Sequence, residues 1–189
     1  MFRSTLTALS LLVAPAAFAT EVPPAMSQYI YDDLMAWVND AQIVAAVRAQ
    51  NEETRGMSES DILARDTAWR EEVGKPSQPM IDDVLNAPLS AFLREHLNQS
   101  GGRITEVFVM DSVGLNVASS GITSDYWQGD EAKFLETYPK GAGTVFIDQI
   151  ELDESTQTYQ GQVSFAVTDP DSGAVVGAIT VGLDAGAFF

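Results

Sequence analysis

The chain of 189 residues contains no cysteine and a single histidine, His96. Without cysteine there is neither a disulfide nor a thiolate, so thiol catalysis and cysteine-ligated metal sites are excluded. A single histidine also removes histidine-rich zinc sites and leaves one imidazole as a candidate base. His96 lies at helical spacing from Phe92 and Leu89 with no nucleophile elbow nearby, which is typical of a packed side chain rather than of a catalytic one.

Basic residues are scarce, with 10 Lys and Arg against 27 Asp and Glu, so the net charge is -17. A surface of this charge repels phosphate backbones and anionic lipid headgroups. We therefore expect neither nucleic acid nor a membrane surface as a partner. The excess of acid suits a saline environment or a cationic ligand, and it does not choose between them.

Apolar runs long enough to cross a bilayer, about 20 residues, are also missing, so we expect no membrane insertion. The apolar run at residues 6–14 follows Arg3 and precedes Ala17-Phe18-Ala19, a small-x-small cleavage pattern. This arrangement predicts a signal peptide over residues 1–19 and an exported chain, periplasmic or secreted, over residues 20–189. The remaining length of about 170 residues suits one domain, and no linker or repeat divides it.

The hydrophobic periodicity predicts helices first and strands afterwards. Three segments, residues 26–50, 58–73 and 77–98, repeat apolar side chains at helical spacing, and Pro88 should kink or split the third. After Gly101-Gly102 the period falls to two, which predicts five strands and a short helix at residues 130–137. The strands are expected at residues 104–110, 115–119, 144–152, 157–168 and 174–183. Antiparallel strands with the helices gathered on one side predict an α+β two-layer fold.

Two stretches of the strand region resemble a known family. Residues 107–115 (VFVMDSVGL) and 169–184 (DPDSGAVVGAITVGLD) are similar to the opening strand-turn-strand and the final hairpin of Cache or PDC domains, the PAS-like extracytoplasmic sensor domains. The resemblance covers residues 26–184. It implies a five-stranded antiparallel sheet with a long N-terminal helix, and binding of a small extracellular solute without catalysis or a cofactor. Most members of the family are joined through a membrane helix to a kinase or chemoreceptor, and this sequence departs from that pattern. We therefore expect any signalling role to need a separate, membrane-bound partner.

Residues 123–131 (TSDYWQGDE) combine acids with large aromatic side chains, which suits a segment lining a small-molecule pocket. Many amino-acid-binding members of the family have Arg just before a Trp in the pocket loop, and here an acid occupies that region. A carboxylate beside aromatic faces suits an ammonium or quaternary amine, with a cation–π contribution of ~0.5–2 kcal/mol. We therefore predict a ligand site, without a metal, for a small cationic or zwitterionic solute at Asp125, Tyr126, Trp127 and Asp130.

Other interpretations of this segment stay open. Tyr126 and Trp127 could cap the open side of the core, and Asp130 with Glu131 could begin a helix, where acids are favoured. A carboxylate ligand would require a cation turned inward: Lys133, Lys140 or Arg103. The domain could instead be an interaction module without its own ligand, or a homodimer, which an apolar stripe left exposed on residues 26–50 would favour.

Enzyme chemistry has little support in the sequence. An acidic chain offers many accidental carboxylate pairs, and nothing selects one of them as a glycosidase pair. The spacing Asp169-x-Asp171-x-Gly173 hints at a calcium loop, but Thr180 stands where an EF-hand needs its bidentate glutamate. We therefore expect a hairpin turn there, and a protein that is not an enzyme.

Overall fold

The structure is a computed structural model and describes residues 22–153 and 158–189. The predicted signal peptide at residues 1–19 lies outside the described residues, as does residue 157 of the predicted fourth strand. None of the helices in the two described ranges has the length and apolar character that crossing a membrane requires.

The described helices precede most of the sheet, as the periodicity predicts. Helix α3 begins with the expected cap, in which the Ser58 hydroxyl accepts from Asp61 N at 3.3 Å and donates to its carboxylate at 2.6 Å. The helices are α1 (Pro24–Asp32), α2 (Ala41–Thr54), α3 (Glu59–Glu72), α4 (Pro79–Asn86), α5 (Pro88–Gln99) and α6 (Ala132–Leu135), with 3₁₀ turns at Leu34–Ala36, Tyr138–Lys140 and Ala185–Phe188.

The predicted helix over residues 26–50 is divided into α1 and α2. Asp40 caps α2 by accepting a hydrogen bond from Gln42 N at 2.8 Å, and short polar side chains of this type compete with a helical backbone. The preceding Asn39 leaves the helical path and accepts a hydrogen bond from Thr168 N at 2.8 Å. The break thus allows the chain between the two helices to bind the far end of a sheet strand.

The helical segment predicted at residues 77–98 is split by Pro88 into α4 and α5. The Ser90 hydroxyl donates to Val84 O at 2.6 Å and accepts from Ser119 N at 3.0 Å. A single buried side chain therefore satisfies a carbonyl at the end of α4 and joins the helical break to the sheet.

The sheet is antiparallel and follows the order β2-β1-β6-β5-β3, with β4 also paired to β5. Because β3 and β4 pair with different parts of β5, they occupy one edge of the sheet, and the predicted strand at residues 144–152 is interrupted between them. The sheet is thus five strands wide, which confirms the predicted α+β fold. The strands are β1 (Ile104–Met110), β2 (Asn116–Ser119), β3 (Val145–Ile147), β4 (Glu151–Asp153), β5 (Thr158–Thr168) and β6 (Val175–Asp184).

Alternation along β1 sends side chains into two different cores. Val107 and Val109 join the main core, which lies between the sheet and helices α1, α2 and α5. Phe108 and Met110 face the opposite way and pack against Phe134 of α6, so this short helix covers the second face of the sheet. A third cluster, around Trp69 of α3, lies beside the β1–β2 turn.

The turn that joins β5 to β6 confirms the hairpin expected from the sequence. Asp169 N donates to Ala174 O at 2.9 Å, and Gly173 adopts a φ of 70°, where glycine is favoured. The Asp169 carboxylate accepts from Ser172 Oγ and from Arg48, each at 2.8 Å. It therefore serves the turn, and across the two described ranges no three acidic or histidine side chains are placed to hold a metal ion.

Candidate functional site

Residues 123–131, the segment predicted to hold the site, run beside the β1–β2 turn; we call them the strap. Gln128 N donates to Gly114 O at 2.8 Å, and Asn116 N donates to Tyr126 O at 3.0 Å. The strap thus adds a short antiparallel stretch to the beginning of β2.

Helix α3 holds the strap in place through buried polar groups. Asp66, which is buried, accepts hydrogen bonds from Tyr126 N and Trp127 N, each at 3.0 Å. The Trp69 indole donates to Thr123 O at 2.9 Å, and its ring stacks on that of Tyr126 at 5.4 Å. Helix α3 therefore holds both the backbone of Tyr126, through Asp66, and its ring, through Trp69.

The carboxylate of Asp125, which was predicted to pair with a ligand cation, instead binds side chains of the protein itself. It lies 3.4 Å from the Arg70 guanidinium, which also pairs with Asp66 at 2.8 Å. The same carboxylate accepts hydrogen bonds from Gln128 Nε2 at 2.8 Å and Ser124 Oγ at 2.9 Å. A ligand ammonium would have to displace these partners, so this geometry suits an internal anchor better than a ligand contact.

Trp127 and Asp130 occupy different environments. The half-buried Trp127 indole donates to Val113 O at 2.9 Å, so its polar edge is bonded to the β1–β2 turn. Asp130 is exposed at the start of the chain leading to α6. The structure therefore brings three of the four predicted residues, Asp125, Tyr126 and Trp127, into one hydrogen-bonded group with α3. Asp130 does not belong to that group.

Tyr126 is the predicted residue that lines a cavity. Its side chain is buried within the cluster around Trp69, and it borders a cavity of about 420 Å³ between helices α2, α3 and α4 and strand β2. We call this the Tyr126 cavity. Its other lining residues are Gln50, Glu53, Arg65, Met80, Asp83, Val84 and Val117.

The charges around the Tyr126 cavity are of both signs. Glu53 and Asp83 supply carboxylates and Arg65 a guanidinium; in the described part of the chain none of the three is in an ion pair. Burial raises the pKa of Tyr126, as do the Asp111 and Glu53 carboxylates, whereas the charge and hydrogen bond of Arg65 lower it. The hydroxyl thus remains protonated at neutral pH and available as a donor between opposite charges.

Most of this lining was not predicted from the sequence. Glu53, Arg65 and Asp83 are exposed charged residues on three helices, and in an acidic chain they look like any other solvated helix face. Only the convergence of α2, α3 and α4 places them around Tyr126. The apolar residue Met80 carried no signal of its own either.

The three cations considered for a carboxylate ligand all lie away from the Tyr126 cavity. Lys133 pairs with Glu131 at 2.9 Å, and Lys140 pairs with Glu136 at 3.2 Å. Arg103 lines another pocket, at the start of β1. The guanidinium that does line the Tyr126 cavity comes from α3 instead.

His96, the one imidazole, is packed as its spacing predicts. Its ring stacks on Trp37 with centroids 4.2 Å apart and meets the edge of Phe92 at 4.6 Å. Burial lowers the pKa of His96, and the neighbouring Glu95 and Asp40 oppose that change without reversing it. The histidine belongs to the contact between α5 and the chain preceding α2.

No protein-family model matches the sequence, and no curated protein does. Among solved structures, the chain is similar to the extracellular domain of rpHK1S-Z16, assigned as a histidine kinase, with a TM-score of 0.44 and 13% identity over 78% of this chain and 56% of that one. It is also similar to the ligand-binding domain of the Campylobacter jejuni chemoreceptor Tlp3 in complex with 4-methylisoleucine, with a TM-score of 0.40 and 14% identity over 85% and 64% of the two chains.

A third similar structure is the sensor domain of the V. cholerae histidine kinase DctB, with a TM-score of 0.38 and 16% identity over 85% of this chain and 59% of that one. The three are described as an extracellular domain, a ligand-binding domain and a sensor domain, respectively. The chain spans between 56% and 64% of their lengths. At this similarity, the ligands of those domains do not identify a ligand for this chain.

Proposed function

We propose that this chain is an exported, non-enzymatic sensor domain that binds a small cationic or zwitterionic solute in the Tyr126 cavity. The observation that carries the proposal is that Glu53, Asp83 and Arg65 surround the buried Tyr126 phenol and form no ion pair with any other described residue. A volume of about 420 Å³ falls within the range of ~300–1,000 Å³ usual for small-molecule pockets.

The lining suits a solute with an ammonium group and a short apolar part. Glu53 and Asp83 would accept hydrogen bonds from the ammonium, while Arg65 would bind a carboxylate if the solute carries one. Met80, Val84 and Val117 offer an apolar wall for the remainder. Because the charged side chains are exposed, the solute would enter from solvent without a large rearrangement.

Within this proposal the predicted site residues have different roles. Tyr126 contacts the solute, while Asp125 and Trp127 hold the strap that presents it. Asp130, which is exposed, has no contact in the site. Signalling would pass to a membrane-bound partner, and residues 1–19 would direct the chain to the periplasm or the exterior.

The alternative, an interaction module without its own ligand, would be favoured by an apolar stripe exposed on residues 26–50, and the large side chains of that stripe are not exposed. Ile30, Leu34 and Val44 of the predicted stripe are buried in the main core, and Trp37 packs against that core. Single exposed apolar side chains, such as Tyr31 on α1, are usual on protein surfaces.

A thermal-shift screen of the purified chain tests the proposal directly. The panel should contain amines, betaines, amino acids and short carboxylates at constant ionic strength. A ligand at 100 times its dissociation constant adds about 2.7 kcal/mol, which raises Tm by several degrees in a domain of this size. We expect shifts with amines or amino acids, and the absence of any shift across the panel would contradict small-solute binding.

Paired variants then locate the site. We expect Glu53→Gln and Asp83→Asn each to weaken binding of the best ammonium-bearing compound about tenfold or more, because a hydrogen bond to a charged group is worth ~1.5–3 kcal/mol. The matched control is Asp82→Asn, which removes an exposed acid from the next position of α4. If calorimetry gives equal affinities for Asp83→Asn and Asp82→Asn, this cavity is excluded as the site. Arg65→Gln should weaken the binding of zwitterions but not that of simple amines.

A further inference from the structure

A second pocket, of about 310 Å³, lies where α1, the start of β1 and the final 3₁₀ turn meet. The Tyr126 cavity lies at the opposite end of β1, since its lining residue Gln50 donates to Asp111 in the β1–β2 turn at 3.1 Å. The two pockets share no lining residue. The second pocket is bordered by Ala25, Gln28, Tyr29, Asp33, Arg103, Ala187 and Phe188.

Arg103 supplies the cation of this pocket. Its guanidinium is in no ion pair within the described residues, although acids outnumber bases almost threefold in the sequence. The position of its backbone is fixed, because Gly101 and Gly102 turn the chain with φ values of 66° and 87° and Arg103 O accepts from Asp184 N at 3.0 Å. Arg103 is exposed, and the position of its backbone places its guanidinium at the pocket, over the Tyr29 ring.

Two aromatic rings form the apolar part of the pocket. The Tyr29 and Phe188 rings lie 5.5 Å apart with an interplanar angle of 49°, and the Arg103 guanidinium lies 5.6 Å from the centre of the Tyr29 ring. A planar group that contacts these rings would have its polar end beside the guanidinium. The Gln28 amide offers a further donor.

Asp33 limits the charge that the pocket can accept. It lines the same pocket as Arg103. Burial raises the pKa of Tyr29, the Asp33 carboxylate raises it further, and the Arg103 guanidinium opposes both. One anionic group can pair with Arg103, while a second would be repelled by Asp33. The pocket thus favours a single negative charge.

We propose that this pocket is a second binding site, selective for small aromatic monocarboxylates. The carboxylate binds the Arg103 guanidinium through charge-assisted hydrogen bonds, and the ring packs against Tyr29 and Phe188. This assignment does not depend on the Tyr126 cavity, because the lining residues, the ligand charge and the end of the sheet all differ.

Benzoate is the probe, with benzyl alcohol as its uncharged analogue and phthalate as its dianionic one. Chemical shifts of the purified chain are followed by NMR titration at constant ionic strength. We expect benzoate to bind at least tenfold more tightly than benzyl alcohol or phthalate, and to shift the backbone amides of residues 28 and 29 and of residue 103. Equal affinity for benzoate and benzyl alcohol would overturn the proposal.

Variants separate this site from the first one. Arg103→Gln should abolish the benzoate preference, whereas Arg55→Gln, which removes an exposed cation from the surface after α2, should leave it unchanged. Asp33→Asn should strengthen phthalate binding several-fold, because it removes the repelling charge. Retention of benzoate affinity in Arg103→Gln would exclude the site, and Asp83→Asn should leave benzoate binding intact whatever its effect on amines.

Discussion

At the scale of single residues, Asp66 is the group on which the position of Tyr126 depends most. One of its oxygens accepts from two successive backbone amides of the strap, and the other pairs with Arg70 at 2.8 Å. The Tyr126 amide is buried, so without Asp66 it would lack a partner and water alike. This one side chain thus couples the stability of the strap to the shape of the cavity.

Two substitutions of Asp66 distinguish its hydrogen bonds from its charge. Asp66→Ala leaves the two strap amides without an acceptor and should lower the free energy of unfolding by about 2–4 kcal/mol, since a buried unsatisfied group costs ~1–3 kcal/mol. Asp66→Asn retains an acceptor and loses only the pairing with Arg70, which is more than half exposed, so its loss should be below about 1 kcal/mol. Urea denaturation measures both, and equal losses would contradict the role given to the two amides.

At the scale of elements, β1 and β6 approach helix α2 closely because Gly177 has no side chain. A Cβ at this position would overlap the Met110 carbonyl oxygen and lie 2.8 Å from a Val47 methyl. The backbone oxygen cannot move without disturbing the pairing of β1 with β6, so the contact cannot relax cheaply. Glycine is required here for space and not for an unusual backbone angle.

Gly177→Ala should therefore destabilise the chain by about 1–3 kcal/mol or more, the usual range for overpacking of a core. Gly121→Ala is the matched control, because a Cβ there meets nothing within 4 Å and the φ of Gly121 lies outside the left-handed region. The control should be neutral or slightly stabilising, as expected when only the unfolded chain is restricted. Urea denaturation midpoints compare the two, and a loss no larger than that of the control would show that the sheet shifts to accept the methyl.

Elements whose signals are local could be predicted from the sequence. Ser58 with Asp61 predicted the start of α3, Pro88 the division between α4 and α5, and the 169–173 turn the last hairpin. The break between α1 and α2 was missed, because apolar spacing continues across Asn39 and Asp40 while their hydrogen bonds stop the helix. Periodicity reports which face is buried, but it does not report a partner that lies more than a hundred residues away.

The candidate site was harder to predict for the same reason. The strap stood out because Tyr126 and Trp127 lie among acids, and the structure does place Tyr126 at a cavity. The sequence could not show that the Asp125 carboxylate would pair with Arg70 and accept a hydrogen bond from Gln128. It also could not show that three helices would bring Glu53 and its oppositely charged neighbours together.

At the scale of the whole molecule, the dominant property is the net charge of -17 that the sequence carries. Self-repulsion among so many acids destabilises a folded state more than an expanded one. The few ion pairs between described residues, such as that between Arg48 and Asp169 at 2.8 Å, act in the opposite direction and involve few of the acids. Repulsion should therefore prevail when salt is low.

Raising NaCl from 10 mM to 0.5 M at pH 7 should consequently increase Tm. The screening length falls from roughly 30 Å at 0.01 M to about 3 Å near 1 M, so repulsion between distant acids disappears before short ion pairs do. A gain of about 1 kcal/mol would raise Tm by ~2–4 °C in a domain of this size. The same scan near pH 4.1, the isoelectric point, is the control and should show little salt dependence, because the net charge is then close to zero. A fall in Tm with salt at pH 7 would mean that attractive ion pairs outweigh the repulsion among the excess acids. The preference of the Tyr126 cavity for ammonium groups would then depend on Glu53 and Asp83 alone, without a contribution from the negative charge of the whole surface.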